Sequence, residues 1–257
     1  MPQKHQGISR QVKAHGVARV ISKRGFCSRS AAENLVREGR VSLRGKIVRD
    51  PETPAYENDE ILVDGTPVEA AQKFYFAMNK PRGIVTTASD EKGRKTVMDL
   101  FREQYAKMFP GKPVPHISPV GRLDTASEGL LLFTNDTQWA DALLDPREPS
   151  QHIKIYRVQV ARKPSADDLA KMEAGFNVPP RIFGESEEFM HAERAAIASV
   201  GEKNCWLEIT LSEGKNREIR RMLAHLGYEV MRLMRIQFDK YTLGNLKPGE
   251  IQEIKPL

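Results

Sequence analysis

Hydrophobic positions change period along the chain, and each change marks an element. Val17, Val20 and Ile21 fall at i, i+3 and i+4 before Gly25, which predicts a helix of about two turns. Ser30, followed by Glu33, reads as a capping box for a second helix that buries Leu35 and Val36 and ends at Gly39. Val41 to Val48 then reads as a hairpin turning at Arg44-Gly45, and Ile61 to Val63 leads into a second turn at Asp64-Gly65. Residues 66 to 73, with Pro67 and small or polar neighbours, read as a linker.

Periodicity restarts at Phe74. Phe74 to Met78 and Ile84 to Thr87 are strand-like and are joined by the turn Asn79-Lys80-Pro81-Arg82-Gly83. Val97 to Phe109 suits a helix. In residues 119 to 136 a polar turn holding Arg122, Asp124 and Glu128 runs through Gly129 into Leu130 to Phe133, a short apolar run typical of a buried strand. Asp136 caps a helix over Thr137 to Leu144, Ile153 to Val160 alternates as a strand, and Ser165 caps a helix to about Gly175. Residues 179 to 204 suggest strands with a variable loop around Glu185 to Glu188. Trp206 to Leu211 alternates again.

Ile219, Met222, Leu223 and Leu226 then form one helical stripe that ends at Gly227. At ~100° per residue Arg220 sits on the flank of that stripe, while Arg217 and Arg221 point further away. Val230 to Phe238 and Tyr241 to Ile254 read as closing strands, with Arg232 and Arg235 available to phosphates. Strands outnumber helices and few are separated by a crossover helix, so an α+β fold with a mainly antiparallel sheet is expected.

Composition narrows the classes. The 257 residues are 40% hydrophobic and 29% charged. No apolar run approaches the ~18 residues of a membrane span, and Met1 to Lys13 lacks the apolar core of a signal peptide. Cys27 and Cys205 are isolated and the histidines lack ligand spacing, which argues for a reducing cytoplasm and against a metal site. Gly93-Arg94-Lys95-Thr96 lacks the earlier glycine of a phosphate-binding loop. Charge is uneven: residues 1 to 50 carry +9 while the whole chain carries +6. That asymmetry points to a basic N-terminal module facing nucleic acid, preceded by a disordered basic arm over residues 1 to 16.

Alone, the Arg122 and Asp124 pair reads as a structural ion pair, and Tyr156 as an ordinary strand tyrosine. The surrounding residues change that. Gly-Arg-Leu-Asp followed by Gly-Leu-Leu resembles motif II of the pseudouridine synthases, and the form Ser-Glu-Gly-Leu-Leu resembles the RsuA family. Asn-Lys-Pro-x-Gly at Asn79 resembles motif I, and Glu-Gly-Lys-Asn-Arg-Glu-Ile-Arg-Arg-Met from Glu213 resembles motif III. The N-terminal order of two helices and small strands, with Ser-Arg-Ser-Ala-Ala-Glu and Glu-Gly-Arg-Val-Ser, resembles the S4 RNA-binding domain.

The resemblance implies an S4-like domain over residues 17 to 65 and a synthase domain over residues 74 to 257 with a bisected mixed sheet. It implies isomerisation of a flipped-out uridine in ribosomal RNA, free or in an assembly intermediate, without cofactor or metal. Asp124 would be the nucleophile, Arg220 its partner, and Tyr156 the residue against the base. Arg122 would contact the RNA beside that base, and Lys80 and Arg217 fall with it as RNA contacts. In the N-terminal module Arg19, Lys23, Arg24, Arg29, Arg40 and Arg44 would meet phosphates. Motif III leans toward large-subunit RNA, and a monomer in the cytoplasm is expected. Two rivals are a glycosidase using Asp124 and Glu128, and a non-catalytic RNA-binding protein using only its basic module.

Overall fold

The computed structural model describes residues 14–70, 72–87, 90–145, 152–180 and 186–256, and they fall into two compact units divided between Lys73 and Phe74.

The first unit runs β1 (His15–Gly16), α1 (Val17–Lys23), α2 (Arg29–Arg37), β2 (Val41–Leu43), β3 (Lys46–Val48), β4 (Pro54–Ala55), β5 (Ile61–Val63) and β6 (Thr66–Pro67). The sheet order is β3-β2-β5-β6, all antiparallel. Both hairpin turns place two residues at positive φ, Arg44 with Gly45 and Asp64 with Gly65, the backbone that two-residue loops need to match strand twist. Val17, Val20, Ile21, Ala32, Val36, Val41, Ile61 and Val63 make the core.

Three expectations are corrected here. The second helix is capped by Ser28, whose hydroxyl accepts from Ala31 N at 3.1 Å, so the cap lies two residues before Ser30. Of the arm, residues 1–13 lie outside the described residues, while His15–Gly16 pair with Ala55 and Pro54. The linker begins later than expected, because Thr66–Pro67 form the edge strand and Val68 is buried in the core. Pro67 is tolerated there because an edge strand has one side on which its missing N–H is not needed.

The second unit contains β7 (Tyr75–Lys80), α3 (Val97–Met108), β8 (Ser118–Val120), β9 (Glu128–Thr134), α4 (Thr137–Leu144), β10 (Lys154–Val160), α5 (Ala166–Ala174), β11 (Phe176–Val178), β12 (Glu188–Met190), β13 (Arg194–Val200), β14 (Cys205–Leu211), α6 (Glu218–His225), β15 (Val230–Phe238), β16 (Tyr241–Thr242) and β17 (Ile251–Glu253). Nine strands form one sheet in the order β13-β14-β10-β15-β9-β7-β17, with β16 on β15 and β8 on β9. Its ladders are antiparallel except β9 with β15, where Glu128 and Gly129 face Met234 and Arg235.

All seven residues of β9 are buried, which explains its continuous apolar reading. At the parallel seam Gly129 has φ +101°, and a β-carbon there would lie 2.3 Å from the Arg235 carbonyl oxygen. Only glycine fits.

The helices follow their caps. Thr96 and Asp99 make a capping box for α3, Asp136 accepts from Gln138 N and Trp139 N at α4, and Ser165 accepts from Asp168 N at α5. On one side of β7 and β9, Phe76, Phe101, Tyr105, Phe109 and Phe133 pack ring against ring at 4.7–6.4 Å. Ile84 to Thr87 is not a strand; Val85 makes one isolated bridge to Thr96. The Gly83 turn leaves it without a continuous partner. Residues 181–185 of the hard-to-read segment lie outside the described residues, and the rest contributes β12 and β13.

Candidate active site

A cleft of about 740 Å³ opens on the face of the sheet carrying α6, between the loop before β9 and the loop before α6. That volume suits a small polar ligand such as one nucleotide. Arg122, Asp124, Lys154, Tyr156, Arg217, Arg220 and Arg235 all line it. Residues from positions 122 to 235 therefore converge because β9, β10, β14 and β15 are neighbours in one sheet.

Asp124 sits in the loop Gly121 to Ser127. Thr86 Oγ1 donates to Leu123 O at 2.7 Å, Ser127 N donates to Asp124 O at 2.9 Å, and Gly83 N donates to Thr125 O at 2.7 Å. From below, Lys80 Nζ donates to Ser127 O at 2.8 Å, Asp124 O at 3.2 Å and Pro81 O at 3.1 Å. Lys80 is wholly buried, and burial pulls its ammonium down to about 8 even though Asp124 and Glu128 oppose the shift. It is a strut under the loop, so the expectation that it touches RNA is corrected. The motif I turn points its lysine inward because β7 is covered on both faces.

The arginine that reaches the carboxylate is Arg217. Its Nη1 lies 3.3 Å from Asp124 Oδ2, with both side chains about two-fifths exposed. Arg217 precedes α6 with φ 52° and ψ 33°, a left-handed backbone unusual for a side-chain-bearing residue. Arg220, expected as the partner, instead donates Nη2 to Ala126 O at 3.1 Å and Nη1 to Val230 O at 3.3 Å. Burial lowers its pKa from the ordinary arginine value. Helical periodicity correctly placed Arg220 at the edge of the core. It could not show that the nearest acceptors there are backbone carbonyls, and that a left-handed residue swings Arg217 toward Asp124.

Tyr156 forms the floor. It is 8% exposed, stands opposite Ile209 on β14 and Arg235 on β15, and has its hydroxyl pushed up by burial against the pull of Arg235. Arg235 is 3% exposed and so is not available to phosphates. The alternation of β15, which buries Leu233 and Arg235 together, carries that signal in the sequence. Arg232 points the other way and pairs with Glu128 at 2.8 Å. Glu128 therefore braces the β9–β15 seam from a position outside the cleft, which removes it as the second carboxylate of a glycosidase pair with Asp124. Glu218, missed in the sequence, is buried at the start of α6, where its carboxylate accepts from Lys215 N at 3.0 Å and burial raises its pKa. Arg122 is exposed at the mouth.

The basic N-terminal unit is less free than its charge suggests. Lys23 pairs with Glu57 at 2.9 Å, Arg29 with Glu33 and Glu52 at 3.2 Å, Arg40 with Asp64 at 2.5 Å, and Arg44 with Asp59. Such exposed pairs are screened by solvent, hold weakly and can exchange for phosphate. Arg24 is different: it donates to Val68 O, Glu57 O and Asp59 O and closes the unit, which corrects its assignment to RNA. Arg19, Lys46 and Arg49 are exposed and pair with no carboxylate among the described residues.

Residues 74–225 match the family described as RNA pseudouridylate synthase, and residues 17–61 match the S4 domain. The chain belongs to the RNA pseudouridylate synthases, which isomerise uridine within RNA. Among its relatives, the ribosomal large subunit pseudouridine synthase B of Bacillus subtilis is 34% identical over 240 residues, covering 93% of this chain and 91% of that one. An RNA pseudouridine synthase of Rickettsia conorii is 36% identical over 245 residues, covering 93% and 96%. A crystal structure of a pseudouridylate synthase superposes with a TM-score of 0.60 at 26% identity, covering 94% of this chain and 96% of that one.

Proposed function

We propose that this chain converts one uridine of large-subunit ribosomal RNA to pseudouridine, with Asp124 as the nucleophile. The observation that carries the reading is Asp124 itself, a half-exposed carboxylate on a strutted loop, held beside the Arg217 cation at the mouth of a nucleotide-sized cleft. The ribosomal substrate is supported by the Bacillus subtilis relative, whose name specifies the large subunit.

The reaction breaks the bond between ribose C1′ and uracil N1, turns the base and joins C1′ to C5. N1 takes up a proton and the hydrogen on C5 leaves to solvent, so no electrons are supplied from outside. A carboxylate fixed before the substrate arrives can act as a nucleophile without waiting for a general base. The target base lies in a stack and must be extruded, at a cost of a few kcal/mol. Stacking against Tyr156 is worth about 1–3 kcal/mol, and Arg122 at the mouth fills the space the base leaves. Tyr156, its hydroxyl held protonated by burial, offers a donor as well as a face. Arg220 acts on the loop carbonyl at Ala126, which keeps Asp124 in register with the floor.

The N-terminal unit supplies affinity through phosphates, with Arg19, Lys46 and Arg49 as exposed cations that pair with no carboxylate among the described residues and the paired arginines exchanging partners on binding. The enzyme acts in the cytoplasm on a pre-ribosomal particle or its RNA. It acts as a monomer, with both nucleophile and floor supplied by one chain.

Ribosomal RNA tritiated at uracil C5 tests this directly. Wild-type protein is expected to release tritium to water, and Asp124→Asn to bind the RNA equally well and release none. Tight, salt-sensitive binding without release from naked RNA or assembly particles would overturn the enzymatic reading in favour of an RNA-binding one.

A further inference from the structure

Arg235 is a buried cation for which no carboxylate forms an ion pair among the described residues. Taking a charge out of water costs several kcal/mol unless something compensates, so a guanidinium in such a place needs a reason. Its surroundings fix it from three sides. Nε donates to Leu130 O at 2.8 Å, two residues into the strand that follows the Asp124 loop. The guanidinium carbon lies 5.0 Å from the Phe238 ring centroid, over its face. The Arg235 backbone abuts Gly129 so closely that no side chain is tolerated there.

The fourth side is Tyr156. The two residues stand opposite each other across β10 and β15, next to a register shift between Ile155 and Tyr156. Such a bulge re-aims side chains and here turns the tyrosine into the cleft. Arg235 Nη2 is fully buried and has no hydrogen-bond acceptor among the described residues. Its charge also pulls the Tyr156 hydroxyl toward ionisation, against burial. Around that hydroxyl lie Asp124 from the β9 loop, Glu218 from α6 and Arg235 from β15, with Lys154 on the tyrosine's own strand, and Arg235 is the cation whose pull on it is largest.

We propose that Arg235 is a positioning residue that acts through Tyr156, locking the tyrosine ring and hydroxyl in the orientation the flipped uracil requires while tying that orientation to the strand that carries the nucleophile loop. The geometry makes one rigid unit of Leu130, Arg235, Phe238 and Tyr156. The guanidinium lines the cleft but is only 3% exposed, so its effect is expected on the chemical step rather than on RNA affinity. The inference rests on the reading of Tyr156 as the residue under the base.

The test is a double-mutant cycle in the full-length protein, read by single-turnover tritium release and by RNA binding. Arg235→Gln is expected to slow release by about 10²-fold, the scale of a misplaced catalytic group, with RNA affinity unchanged. Arg235→Lys, which keeps the charge, is expected to recover part of the rate. In a Tyr156→Phe background neither substitution lowers the rate further. The same fold-loss with and without the Tyr156 hydroxyl would overturn the inference, as would wild-type rates in both Arg235 variants. A normal rate for Tyr156→Phe alone would remove the role of Tyr156 and with it this inference, while leaving Asp124 untouched. If Arg235→Gln melts below the assay temperature, Arg235→Lys carries the same comparison.

Discussion

Arg217 Nη1 meets Asp124 Oδ2 at 3.3 Å from a backbone in the left-handed region, at φ 52°. A non-glycine residue held there costs on the order of 1–3 kcal/mol, and such strain persists where the surroundings impose it. Asparagine adopts this backbone more readily. Arg217→Asn is therefore expected to melt at or slightly above the wild-type temperature, since the exposed pair it loses is worth only about 0–1 kcal/mol. Tritium release should fall by about 10²-fold because the nucleophile loses its fixed cation. A variant with the wild-type rate would show that the pair is incidental.

Lys80 links stability and activity to pH with opposite signs. Its folded value of about 8 lies below the 10.5 of an unfolded lysine, so between those limits the unfolded chain holds more protons and stability rises with pH. The contribution is on the order of 3 kcal/mol, absent below pH 8 and complete above 10.5. Urea denaturation at several pH values should show this rise in wild type and not in Lys80→Met. Activity should fall over the same range, as the ammonium loses a proton that it donates to the Asp124 loop.

Gly129→Ala places a methyl group 2.3 Å from a backbone oxygen that no rotamer can move. The β9–β15 seam must part, and a loss of about 4 kcal/mol or more is expected. Thermal melting checks it, and Gly83→Ala is the control, since that glycine has positive φ with open space around it.

The arginines of the N-terminal unit separate into two kinds of effect. Arg19→Ala should leave melting unchanged and reduce the salt slope of RNA binding by about 1, as loss of one phosphate contact does. Arg24→Met should do the reverse. It strips a donor from three carbonyls, two of them part-buried, at about 1–3 kcal/mol for each buried acceptor left unsatisfied, and melts the unit earlier.

Much of this was legible in the sequence, and the gaps have physical causes. The apolar run of β9, the helix capped by Asp136 and the two hairpin turns were readable because local chemistry alone decides them. Asp124 and Tyr156 were found through motif resemblance, and the structure brings both to one cleft. The partner of Asp124 was misread because helical phase gives a side chain's direction and not its reach. Lys80 was misread because a lysine in a turn looks exposed until the strand before it proves to be covered on both faces. The acids that pair with the N-terminal lysine and arginines lie up to 34 residues away, beyond any local pattern.

The parallel seam has a consequence for synthesis. β9 emerges from the ribosome roughly a hundred residues before β15, its neighbour on that side, and β17 completes the sheet only at Ile251–Glu253. A nascent chain carrying Asp124 thus lacks Arg217, Arg235 and the strand that closes the cleft until about a hundred further residues have been made. Chain growth, at about 5–20 residues per second, delays competence by several seconds after Asp124 has been made. The core of the S4-like unit is complete by Val68, well before the residues that line the cleft have all been made.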